Sequence, residues 1–151
     1  MTLGLVTPQS VTLEDLTAAG GPVEQTRADL ALILRGAGLE VAMHPTTRFA
    51  APIAVLQAGE PWLEPTGLGR GFYTVRWRIW LLAGASDGPG AHALATGMAA
   101  VAVLAIGRAQ GWSSTDASGD KLLRVAGVEG GYIGSELSAH TVADIRRVEG
   151  L

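Results

Sequence analysis

The residues of this chain that could do chemistry are few and scattered. His44, His92 and His140 lie far apart, and none forms the close pair by which one helix offers two imidazoles to zinc. There is no cysteine, which excludes thiolate metal sites, iron–sulfur clusters, disulfides and cysteine nucleophiles together. Asp116 and Asp120 are too near each other and too loop-like for a catalytic carboxylate pair, and Ser113-Ser114 lacks the glycines of a nucleophile elbow. Glu64 and Glu129 stand alone. Gly67-Leu68-Gly69-Arg70-Gly71 has the composition of a phosphate-cradling loop, but it opens a strand, whereas a dinucleotide fingerprint follows a strand and opens a helix. Gly36-Ala37-Gly38 closes a helix, as C-terminal glycines do. The sequence thus predicts no catalytic residue, no cofactor and no metal; a triad assembled only in space stays compatible with it, because triads are recognised by geometry and not by order.

What remains is chemistry of contact. Arg76, Arg78 and Trp80 alternate along one face of a strand. They read either as a solvated face whose arginine stems cover apolar surface, or as a protein-contact face, since Arg and Trp concentrate binding energy at interfaces. Trp62, in a Pro-Trp-Leu turn, has the same two readings, with packing onto its own domain favoured. With Glu64 and Arg70 from the adjoining segment, these residues form the candidate protein interface: Trp62, Glu64, Arg70, Arg76, Arg78 and Trp80.

The elements that must position them follow from composition and period. With 151 residues and 48% apolar content, the chain can bury a core without staples, and one domain is expected, with 1–10 and 143–151 as flexible arms. Fourteen acidic residues against eleven basic ones give a net charge of −3, which supplies no general attraction to phosphate backbones. Met1 to Ser10 lacks the basic start and apolar run of an export signal, and the uncharged stretch from Ala91 to Gly107 is short and Ala/Gly-rich for a membrane span.

Thr12 and Asp15 resemble a capping box for a short turn, Leu13 to Ala19. Pro22 opens a helix that ends at Gly36, Leu39 to Met43 and Ile53 to Leu56 are short strands, and Ala58 to Gly71, rich in glycine and proline, reads as a long loop. Phe72 to Leu82 is the strongest strand, expected to be the longest and to lie inside the sheet, with Val75, Trp77, Ile79 and Leu81 on the core face. Ala91 to Gln110 is the second long helix, expected to pack through Leu94, Met98, Val101 and Ala105, with Gly97 allowing close approach. Apolar residues also populate its other faces, so it requires cover on most sides. Leu122 to Val128 and Tyr132 to Val142 are two last strands. The fold class is α+β: an antiparallel or mixed β-sheet with two main helices packed on one face.

The order of these features resembles the tail terminator proteins of long-tailed bacteriophages. The resemblance is carried by the early helix ending in Gly36-Ala37-Gly38-Leu39, the Pro52-Ile53-Ala54-Val55-Leu56 strand and the Gly59-Glu60-Pro61-Trp62-Leu63 turn. The long Phe72 to Leu82 strand, the Ala-rich helix and the Gly130-Gly131-Tyr132 strand complete it. It implies a structural virion protein, made in the host cytoplasm, that forms a hexameric ring of identical subunits at the head-proximal end of the tail. There it would stop tube growth and meet the tail tube protein on one side and a neck protein on the other, with DNA only passing through the lumen and no membrane involved. Other neck proteins, such as stoppers and adaptors, and a small α+β enzyme or ligand-binding domain with a hidden pocket are the alternatives.

Overall fold

The computed structural model describes residue 13 and residues 21–46, 50–84, 89–115, 117–125 and 131–146. Among the described residues, the helices α1 (Pro22–Gly36) and α2 (Pro89–Arg108) accompany six strands: β1 (Val41–Ala42), β2 (Ile53–Pro65), β3 (Phe72–Gly84), β4 (Ser113–Ser114), β5 (Lys121–Leu123) and β6 (Tyr132–Asp144). One mixed sheet runs β1-β2-β3-β6-β4, with β5 also paired to β6. Only β1 is parallel to its neighbour. The α+β class read from the sequence is the class observed.

The middle of the sheet follows from alternation. Val75, Trp77, Ile79 and Leu81 are fully buried on the face that α1 and α2 cover, together with Leu30, Ala31 and Leu34 of α1 and Ala95, Met98, Ala102 and Ile106 of α2. Strand β3 lies between β2 and β6, and all three are 13 residues long. Phe72 to Leu82 is therefore central, as expected, but not longer than its neighbours.

Four expectations are corrected. The segment from Ala58 to Gly71 is not a loop throughout: β2 continues to Pro65, and only Thr66 to Gly71 turns the chain. Its prolines are tolerated because β1 pairs only with Ala54 and Val55, so among the described residues the rest of that edge of β2 has no ladder to lose. The stripe by which α2 packs is rotated: Met98 is buried as expected, but Leu94 and Val101 are exposed and Ala105 only half-buried, and Ala95, Ala102 and Ile106 take their places. Gly97 faces open space rather than the sheet. Small side chains at Ala95 and Ala102 let the helix axis approach the bulky residues of β3, which Leu and Val there would prevent. Finally, residues 143–146 are not an arm, because β6 runs to Asp144 and the Ile145 amide donates to the Gly71 carbonyl at 2.8 Å.

The expected strand from Leu39 to Met43 is reduced to Val41–Ala42; of that from Leu122 to Val128, Lys121–Leu123 is strand and residues 126–128 lie outside the described residues, while the short β4 lies in what reads as a polar loop. The turn from Leu13 to Ala19 falls, apart from Leu13, outside the described residues. A smaller second core sits on the sheet face away from the helices, built from Val55, Trp80, Leu82, Leu123, Val125 and Tyr132.

Candidate functional site

The six candidate contact residues are divided by the sheet. Across β2 and β3 the ladder shifts between Ala58 and Leu63, so that four residues, Gly59 to Trp62, stand opposite Arg76 alone. This bulge requires Gly59, since a Cβ there would lie 2.8 Å from both Cγ and the carbonyl oxygen of Arg76. It also turns the Trp62 ring onto the helix side, where it meets Trp77 edge to face with centroids 5.7 Å apart. Trp77 in turn donates from Nε1 to Thr26 Oγ1 at 2.9 Å and carries the Arg27 guanidinium 4.6 Å above its ring. Trp62 thus packs on its own domain, yet stays 39% exposed.

Glu64, Arg76, Arg78 and Trp80 lie on the opposite face. Arg76 pairs with Glu64 at 3.7 Å and donates to the Pro61 carbonyl at 3.1 Å, so it fastens the bulge and is not free for a partner. Trp80 is only 9% exposed, with Nε1 donating to Gln57 Oε1 at 2.9 Å. It belongs to the second core, which corrects its reading as part of an open contact face; Leu123 and Val125, distant in sequence, provide the cover. Arg78 lies over the Trp80 ring at 5.5 Å and borders a shallow depression of about 330 Å³ shared with Thr115, Ser118, Glu136 and Ser138. Arg70 is exposed on the β2–β3 turn.

That turn carries an exposed apolar side chain at its tip. Thr66 closes it by donating from its amide and hydroxyl to the Phe72 carbonyl, at 3.2 and 3.0 Å, and its hydroxyl accepts from the Leu68 amide at 3.0 Å. Gly67 and Gly69 adopt positive φ angles that L side chains rarely take. Leu68 between them is 72% exposed, and Leu63 behind it 37%.

A second apolar surface lies on the helix that the sequence reading expected to need cover on most sides. The outward half of α2 presents Leu94, Gly97, Val101, Val103 and Leu104, with Ala93, Thr96, Ala100 and Gly107 around them, and carries no charge between His92 and Arg108. Leu104 is 55% exposed. By length and composition α2 is apolar enough to cross a membrane, but one side of it is built into the core. The sequence signal for it is the absence of a polar face over the helix; which residues face outward was misassigned.

Titratable groups add little to these surfaces. His92 Nδ1 in the first turns of α2 faces Asp120 Oδ2, and that hydrogen bond holds the Asp120 carboxyl below its ordinary value. Among the described residues no group of three His, Asp or Glu side chains is placed to hold a metal ion. No family model, curated protein or solved structure matches the chain.

Proposed function

We propose that this chain is the repeating subunit of a protein ring at the head-proximal end of a long phage tail, where it stops growth of the tube and joins the tail to the neck. The supporting observation is that one small chain exposes two separate apolar patches, the β2–β3 turn and the outer face of α2. A head-to-tail repeat uses two different patches on every subunit, and it closes into a ring when the rotation between neighbours divides a full turn. The acidic balance of the chain agrees with a lumen through which DNA slides without being gripped. The order of elements, from the Gly-capped first helix to the Gly131-Tyr132 strand, is the resemblance that supplies the location.

The test is genetic and visual. Phage in which this chain is not made should accumulate full heads beside unjoined tails of irregular, excessive length, and micrographs of complete particles should place the chain in a six-fold ring between tube and neck. Tails of normal length, or particles lacking the chain, would show the assignment to be wrong. Arg78→Gln is the appropriate probe of the sheet's outer face, because Arg76 is committed to Glu64 and Pro61.

A further inference from the structure

We infer that the depression beside Arg78, on the sheet face away from the helices, receives an aspartate or glutamate side chain of a tube or neck protein that meets the ring. Arg78 is half-buried on the central strand, and among the described residues its guanidinium has neither a carboxylate partner nor a hydrogen bond. It lies over the Trp80 ring at 5.5 Å, and that ring is itself fixed, because Trp80 Nε1 donates to Gln57 Oε1 at 2.9 Å. The N–H donors of Arg78 thus remain for a ligand, and a carboxylate is the group that takes two of them in parallel. The walls of the depression are bonded too. Thr115 and Ser118 lie against β6 between its contacts with β4 and β5. Their amides donate to the Ser138 and Glu136 carbonyls, each at 2.8 Å, and their hydroxyls accept the amides of the same two residues at 3.1 and 2.9 Å. Ser138 stands opposite Arg78 in the ladder, and its hydroxyl is a further donor toward the same space.

Charge selects the ligand and shape selects its source. Glu136, which also lines the depression, pairs with Lys121 at 3.4 Å. With that pair neutral, Arg78 leaves the site one positive charge, which matches a single carboxylate. A phosphate dianion would meet the Glu136 carboxylate, and the lining offers it no second cation. A free small acid is the wrong source, because sites for small ligands are clefts that enclose most of the molecule, whereas this depression of about 330 Å³ is shallow and polar. An acidic side chain carried by a protein surface is enclosed by the surrounding contact, and an arginine fixed in advance loses little freedom on binding it. The inference rests on the ring reading, in which the two apolar patches serve contacts between copies. The sheet face is then left for the proteins on either side of the ring.

Arg78→Lys keeps the charge and introduces an amine that a carbodiimide couples to a touching carboxylate; the amide forms as the carbodiimide takes up the water and leaves as a urea. Treated particles should yield, by mass spectrometry, a peptide in which position 78 is joined to an Asp or Glu of a tube or neck protein. Arg78→Gln should keep the melting temperature of the parent chain, since no hydrogen bond or ion pair of Arg78 is lost among the described residues, and should lower the yield of joined heads and tails by about tenfold or more. Phage carrying Arg78→Glu should regain growth through suppressors that replace an Asp or Glu of a tube or neck protein by Lys or Arg. A link to a second copy, suppressors confined to this chain, or Arg78→Gln particles joined at the parental yield would each overturn the proposal and leave the ring standing. Particles that lack the chain altogether would remove the ring reading and the proposal together.

Discussion

Trp77 is where the helices, the strand and the bulge meet. Its ring is fully buried, its Nε1 is satisfied by Thr26, Arg27 stacks on one side and Trp62 touches its edge. Trp77→Ala should therefore cost about 3 to 5 kcal/mol in unfolding free energy, measured by urea denaturation. Thr26→Val keeps the shape but leaves the indole N–H unpaired in the core, and should cost about 1 to 3 kcal/mol in the same assay. Ser135 is the opposite case. Its hydroxyl is buried, and among the described residues it has no hydrogen-bond partner, so Ser135→Ala removes a group that gains nothing from folding. The urea midpoint should stay unchanged or rise, by no more than about 1 kcal/mol in stability. Two-residue alternation made the burial of Trp77 legible in advance, but its partner Thr26 lies 51 residues away, and no periodicity connects them.

At the scale of elements, β3 was legible because its two faces differ in polarity, and α2 was misjudged because its faces do not. A helix that is apolar all round has a period without a phase, and ranking side chains by hydrophobicity turned Leu94 and Val101 inward when the sheet accepts Ala95 and Ala102. Glycine and proline likewise hid the second half of β2, since a bulge and an unpaired edge accommodate both. Of the candidate contact residues, Arg76 and Trp80 proved to be internal fastenings because their partners, Glu64 and Gln57, sit on the neighbouring strand. The start of α2 is fastened by His92 to Asp120, just before β5. Because the Asp120 carboxyl titrates below its ordinary value of 3.8 in the folded chain, this contribution is complete above that value and is lost as the pH falls through the lower, folded one. Asp120→Asn should flatten the acid limb of the stability curve, seen as a smaller drop in melting temperature between neutral and strongly acidic buffer. An unchanged acid limb would show that the pair does not couple to folding.

For the whole molecule, the two kinds of surface predict opposite responses to solvent. A contact made through Arg70, Arg78 and carboxylates would weaken as salt screens it, over a Debye length of about 10 Å at 0.1 M. A contact made through the outer face of α2 has no charge to screen, and excluded salts such as sulfate strengthen apolar burial. Apolar burial also weakens on cooling, because its driving force near room temperature is entropic. Self-association followed by sedimentation velocity should therefore increase from dilute buffer to sodium sulfate, and decrease from room temperature toward the freezing point. Leu104→Gln should remove both trends without lowering the melting temperature, since Leu104 contributes to no core cluster and is more than half exposed. Association that instead fell with added salt and ignored Leu104→Gln would move the subunit contact from the helix to the arginine-bearing surface of the sheet.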